Sequence, residues 1–452
     1  MKPPVSPPQQ HERTPLDAKR YPRFLEVGAF QAYTYLDGDA EWRQMQKELF
    51  FCGTNTHPIL DYPYIDAVKL AQWEQWLNSL KEDIVAQETN DAVKRAYVWK
   101  INEKLAEIKL LEATLAWDDR EFQKQTEFIY GKPSIEVFAD DCQVLGELIA
   151  RCQSADWPSY VQKVGEQLAK RMPASDLLSQ ARPLPHNLLI DHVRQNTISA
   201  MHKLFTAPLD DTENMIYTAE QIKLAFVQSL KALHITGWRV DIVTTSKSTI
   251  SVNHEQKTIL IPQERKLSPS KLQQLIIHEI GTHVLRRESG EASSLQLLGL
   301  WLDRYERGEE GIATMREQVL DVDYEDDVGL DKHLAISLAY GLDGTPRGFA
   351  EVYAFLVDYY VVVYLLGDYL LQRANYLARE SAWSTAIRVF RGTHGTPWVC
   401  FTKDAMYKEG NRAIRDLLAR DPHAMDHFPL GKYDPTNPRH IAILQELGIL
   451  LP

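Results

Sequence analysis

Apolar positions recur at helical spacing along most of the chain. Between about Asp66 and Cys152, Leu70, Trp73, Trp76, Leu77 and Leu80, then Ile101, Leu105, Ile108 and Leu111, mark one face of successive helices. Pro133 and Pro158 punctuate this stretch, since proline supplies no amide and is tolerated chiefly in a helix's first turn. Four or five helices are predicted here. After a break at Arg182-Pro183-Leu184-Pro185 the helical period returns over Asp191 to Phe205 and Ala219 to His234. Beyond Gly237 the period changes. Trp238 to Val243, Thr249 to Val252 and Thr258 to Ile261 are short, β-branched and separated by turn residues such as Asn253, which predicts one small antiparallel sheet. Ser268-Pro269-Ser270 then caps a helix running through Leu272, Leu275 and Ile276 into a histidine-bearing segment. Helical periodicity resumes after about Lys332 and closes with Pro438 to Leu447, with no repeat at a fixed period. The predicted class is α+β, predominantly α-helical.

One stretch, Val352 to Leu366, invites a membrane reading. It falls short of the roughly 20 apolar residues a spanning helix needs, and Asp358 interrupts it. A buried core helix is expected, and no membrane partner. The chain's 452 residues suffice for two or three packed units. We divide it into a flexible Pro- and Gln-rich leader (1–22), a helical N-terminal region (23–185) and a catalytic region (186–452). A net charge of -12 argues against nucleic acid, whose binding needs clustered Lys and Arg. Cys52, Cys142, Cys152 and Cys400 show neither CxxC spacing nor a disulfide framework, and Met1 to Gln10 contains no apolar core of a signal peptide. A cytoplasmic location is expected, and nothing in the sequence specifies an oligomeric state.

The segment with the most chemistry is His278-Glu279-Ile280-Gly281-Thr282-His283. In zinc metalloproteases a His-Glu-x-x-His helix presents two imidazoles one turn apart, with the glutamate as general base. Here the spacing is one residue longer. At about 100° per residue, positions five apart point about 140° away from each other, so a regular α-helix would not converge His278 and His283 on one ion. A single wide π-turn restores convergence, and Gly281 inside it suits a distorted or closely approached backbone. The apolar run Leu275-Ile276-Ile277 would bury His278, which then requires a ligand or a hydrogen bond. A catalytic zinc takes three protein ligands and a water. Glu310, in Gly308-Glu309-Glu310-Gly311-Ile312-Ala313, is the candidate third ligand; the pattern alone equally allows paired acids at a helix start.

Three blocks resemble a known family, the microtubule-associated tyrosine carboxypeptidases and their bacterial relatives, the flavohemoglobin expression-modulating QEGLA-motif proteins. They are HEIGTH at His278 to His283, EEGIA at Glu309 to Ala313 in place of QEGLA, and the block from Arg391 through Cys400-Phe401-Thr402-Lys403-Asp404-Ala405-Met406-Tyr407-Lys408-Glu409 to Gly410. The likeness spans from about residue 30 to the C-terminus. It implies a zincin-like metallopeptidase of the bacterial type, with Zn2+ on His278, His283 and Glu310 and with Glu279 as catalytic acid/base. Glu309 for Gln and Ile312 for Leu depart from the pattern at positions other than the presumed ligand.

The expected activity is hydrolysis of the C-terminal residue, of the tyrosine or glutamate class, from a peptide or protein tail. The alternatives are a non-hydrolytic metal-binding regulatory protein and a zinc aminopeptidase or endopeptidase. The strand Thr258 to Ile261 is a candidate edge strand for pairing with extended substrate. Arg388, Arg391 and Lys403, with Tyr407, are the candidate receptor for the substrate's terminal carboxylate, because an end-recognising enzyme must pair that charge. Arg388 and Arg391 are placed on one helical face, and Lys403 and Tyr407 four apart on another. His254, His333 and His394 are not expected to bind the metal. For His254 in a turn and His394 in a Gly-rich loop, solvated side chains are expected.

Overall fold

The computed structural model describes residues 14–28, 30–172, 188–205, 216–244, 250–254, 256–320 and 328–451. Four helices, Ala67–Gln87, Asp91–Ala116, Asp119–Tyr130 and Ile135–Cys152, fill the first periodic stretch. Asp66, Asn90, Asp118 and Ser134 cap them, each side chain accepting an amide hydrogen that the first turn leaves unpaired. Asp91–Ala116 runs through the interior and buries two ion pairs one turn apart, Lys100–Glu103 and Lys104–Glu107. Glu103 also accepts from the Arg304 amide and Glu107 from the Ala32 amide. These buried carboxylates therefore fix both the chain entering Glu306–Gln318, here termed the glutamate helix, and the turn that carries Tyr33.

One apolar core joins residues from Tyr21 to Leu168 with residues from Leu295 to Leu450, so the N-terminal helices and the last third of the chain fold on each other. A second core packs the sheet against Leu188–Leu204, Ala219–Ala232 and the histidine-bearing helix. A third lies between the glutamate helix and Ala405–Arg420. The Arg182 to Pro185 break, where we divided the chain, lies outside the described residues, and the first core spans across it.

Two expectations are corrected. Residues 14–22, assigned to a loose leader, are packed in place. Asp17 is fully buried and accepts from the Gln296 and Leu297 amides at 2.9 Å each and from the Tyr97 hydroxyl at 2.8 Å. Leader residues 1–13 lie outside the described ones. The sheet is mixed, not antiparallel: β1 (Arg239–Val243) pairs in parallel with β3 (Thr258–Pro262), and β2 (Ser251–Asn253) pairs with β3 antiparallel. β3 is the most deeply buried strand, with Ile259 and Ile261 inaccessible, and so takes the centre. β1 lines one edge of β3 along its whole length and β2 lines the other over residues 258–260, so along those residues β3 is not an edge strand open to substrate.

The apolar stretch forms Phe349–Leu366, by length and composition able to span a membrane and half-buried here. It packs against Leu371–Phe390 through Phe349, Trp383 and Phe390. Asp358, the charge within the run, accepts from Arg171 at 2.5 Å and Gln167 at 2.9 Å.

Candidate active site

The histidine-bearing helix begins at Pro269, where Ser268 caps it, is α-helical to Leu275, widens to π-helical geometry over Ile276–Val284, and returns to α-helix over Leu285–Glu291. In the wide segment Thr282 Oγ1 donates to the Ile277 carbonyl at 2.9 Å, and Arg316 from the glutamate helix donates to the Gly281 carbonyl at 2.6 Å and to Thr282 Oγ1 at 3.2 Å. Gly281 lies under Ile277 and Leu204, whose methyl groups would sit 2.8 and 3.0 Å from an added Cβ. The widened turn brings the His278 and His283 rings to 4.9 Å between centroids, nearly perpendicular.

Donor atoms of His278, Glu279 and His283 lie within 4.8 Å of one another. Across from them, Glu310 Oε2 is 3.9 Å from Nε2 of each imidazole. Ligand atoms about 2.0–2.1 Å from a tetrahedral zinc are about 3.3 Å apart; the donor set fits such an ion in chemistry, and its 3.9 Å separations would have to close by about half an ångström around it. The outer nitrogens are tied as well: His278 Nδ1 to Glu317 Oε2 at 3.0 Å, and His283 Nδ1 to Glu309 Oε1 at 2.8 Å. Carboxylates so placed fix the tautomer that leaves each Nε2 lone pair facing the site. Burial pulls His278 toward the neutral form, but Glu317, Glu279 and Glu310 together raise it to about 9 in the absence of an ion.

Glu309 does more than orient His283. Arg286 Nη1 donates to it at 2.5 Å and Lys432 Nζ at 2.9 Å, all three groups being inaccessible to solvent or nearly so. Burial would raise the Glu309 carboxyl, yet Arg286, Lys432 and His283 hold it well below the usual range. Sequence reasoning missed Glu317, Arg316, Arg286 and Lys432. Glu317 sits seven residues after Glu310 and Arg286 three after His283, spacings that a helical projection would have flagged. Lys432 arrives from a distant loop, with no local signal.

The other histidines divide. His254 lies beside the site and not in solvent: its ring centroid is 6.1 Å from that of His283, and its Nε2 is 3.4 Å from Lys432 Nζ. Burial, then Lys432 and His283, hold its pKa well below the usual value, so it is neutral. His333 is fully buried between Asp141 at 2.6 Å and Glu409 at 3.3 Å. His394, partly exposed, packs against the Trp117 ring and pairs with Asp119 at 3.2 Å.

The four candidate carboxylate-binding residues do not form one free cationic cluster. Arg388 makes a two-pronged pair with Asp404 at 2.6 and 2.9 Å. Arg391 ends its helix in an extended conformation, off the face carrying Arg388, and reaches Asp37 at 3.0 Å while stacking on Phe401. Lys403 and Tyr407 do meet, the ammonium lying 5.7 Å from the ring centre. Tyr407 is near Glu310, whose charge, with burial, keeps the phenol protonated well above its usual range.

A family model described as microtubule-associated tyrosine carboxypeptidase matches residues 190–322 and 365–452. The first segment contains the sheet, the histidine-bearing helix and the glutamate helix, and the second contains Arg388 to Gly410. The match begins later than residue 30, so the N-terminal helices lie outside it. No curated protein matches the chain.

Proposed function

The chain belongs to the microtubule-associated tyrosine carboxypeptidase family, and from that premise we propose that it is a zinc-dependent carboxypeptidase removing the last residue of a peptide or protein tail. The observation that carries the zinc reading is the facing of two imidazole Nε2 atoms and one Glu310 oxygen, each imidazole backed by its own carboxylate. The order of sheet, then histidine-bearing helix, supports a zincin-like arrangement. Four free thiols, three of them buried, support a reducing compartment such as the cytoplasm.

His278, His283 and Glu310 would hold the ion. When bound, zinc supplies Lewis-acid chemistry, acidifying a water and polarising a carbonyl oxygen. Glu279 lies beside these donors and is the base: its carboxylate takes a proton from the attacking water as the carbon–oxygen bond forms. It returns that proton to the departing nitrogen as the peptide bond breaks. Tyr407, held protonated, can donate a hydrogen bond to the oxyanion that forms at the scissile carbonyl.

The test separates ligand from base. Purified protein should carry about one zinc per chain. Glu310→Ala should lose it, whereas Glu279→Gln should retain the metal and lose turnover of C-terminally free peptides by at least about a hundredfold. Full metal retention by Glu310→Ala would remove that ligand, and an active Glu279→Gln would remove the base. An intact zinc site with no hydrolysis of any peptide pool would favour the regulatory, non-hydrolytic alternative.

A further inference from the structure

Lys403 differs from the two arginines in how it is held. It lies in the 3-10 turn Thr402–Asp404 that leads into Ala405–Arg420, and it is only 5% exposed. The residues on either side are fastened. The Thr402 amide donates to Thr126 Oγ1 at 3.1 Å, and Asp404 receives both prongs of Arg388. The Lys403 side chain is therefore aimed by a fixed backbone.

An ammonium has three hydrogens to donate, and a buried one ordinarily finds acceptors for them. Among the described residues Lys403 Nζ has no hydrogen bond. Its nearest carboxylate is Glu306, at a loose 3.9 Å. The remaining contacts are aromatic faces: Tyr33, with its ring centre at 4.4 Å, and Tyr407 at 5.7 Å. Lys403 faces the glutamate helix one turn before Glu310, which sets this pocket beside the presumed metal ligand. Glu306 stands one turn before Glu310 on the same helix, and burial, together with Glu103, Glu107 and Glu310, raises its carboxyl against the opposing effect of Lys403. It is thus a weak counter-ion. A substrate carboxylate would be a better one.

We propose that Lys403 is the group that recognises the free α-carboxylate of the substrate's last residue, that the Tyr33 and Tyr407 rings aim it, and that Glu306 holds its place until substrate arrives. This rests on the carboxypeptidase reading and narrows it to one cation. It also gives the N-terminal region a part in the site, because Tyr33 lies outside both segments matched by the family model. Arg388 and Arg391 then act on the pocket's walls, through Asp404 and Asp37.

The experiment uses a pool of N-acetylated peptides as free acids and as C-terminal amides, with two readouts. Cleavage by the wild type should favour the acids. Lys403→Met should lower kcat/KM on the acids by about a hundredfold, bring the acid-to-amide ratio near one, and retain zinc; Lys403→Arg should restore part of the ratio. Glu306→Gln should lower KM for the acids, and Tyr33→Leu should raise it with little change in kcat. The second readout is calorimetric binding of the same acids and amides to Glu279→Gln protein, with and without the Lys403→Met change. It reports acid selectivity whether or not the protein turns substrate over. Equal wild-type cleavage of acids and amides sinks the carboxypeptidase reading. Acid-selective binding that survives Lys403→Met, or that collapses in Arg388→Met or Arg391→Met instead, overturns the Lys403 assignment alone.

Discussion

At the scale of single residues, the two carboxylates behind the histidines differ in what else they hold. Among the described residues Glu317 hydrogen-bonds through its side chain to His278 alone, and it is partly open to solvent. Glu309 is the shared counter-ion of Arg286 and Lys432 besides orienting His283. Neutralising Glu317 should therefore cost metal binding and little else: Glu317→Gln is expected to weaken zinc about tenfold, by chelator competition, with an unchanged urea midpoint. Glu309→Gln would leave two buried cations without their charge, which should cost about 3 kcal/mol of unfolding free energy. An unchanged urea midpoint for Glu309→Gln would refute the shared role. The sequence made His278, Glu279, His283 and Glu310 legible because they lie in two short blocks whose spacing has a chemical meaning. It concealed Lys432 because that contact spans 123 positions and leaves no periodic trace.

At the scale of elements, the site depends on how closely the glutamate helix crosses Ala405–Arg420. The crossing is made at two glycines: a Cβ on Gly311 would stand 2.4 Å from the Gly410 carbonyl oxygen, and one on Gly410 would collide with the Arg307 carbonyl. Both obstacles are backbone, so neither can swing aside. These glycines belong to two of the three blocks that carried the family resemblance, EEGIA and the block ending at Gly410, and the structure supplies the physical reason they are glycines. Gly410→Ala should destabilise the fold by about 3 kcal/mol or more and displace Glu310 from the histidines, lowering zinc content. Gly281→Ala, which meets only the ends of Ile277 and Leu204, should cost about 1 kcal/mol or less. Comparable urea midpoints for the two variants would contradict this ordering. The same scale shows where patterning misled. Strand positions were readable from β-branched runs, but the pairing was not, because a period of two states which face is buried and leaves open which strand takes the centre.

At the scale of the whole molecule, helical periodicity foretold the helices, while the shared core between the N-terminal and C-terminal parts was invisible, since apolar faces do not name their partners. His333 marks one of the joins. It lies on Leu330–Tyr340, hydrogen-bonds Asp141 of Ile135–Cys152 and Glu409 of Ala405–Arg420, and has Lys408 as a further charge 3.9 Å from Asp141. Burial lowers the imidazole's pKa, but Asp141 and Glu409 outweigh it and raise it to about 9. The unfolded chain's histidine titrates near 6.5. The folded state thus holds its proton more tightly than the unfolded state, and the stabilisation is fully present below about pH 6.5 and is lost as pH rises through about 9. Its size is on the order of 3 kcal/mol, from roughly two and a half pH units at 1.36 kcal/mol each. Against His333→Gln, which cannot carry the proton, the wild type's advantage in urea unfolding should be largest at pH 6 and shrink by about that amount by pH 9.5. Taking the difference between the two proteins cancels the titration of groups they share, including the histidines of the metal site. A difference that stays constant from pH 6 to 9.5 would mean that His333 joins the two parts of the chain as a neutral hydrogen-bonding ring and not as a buried cation between two carboxylates.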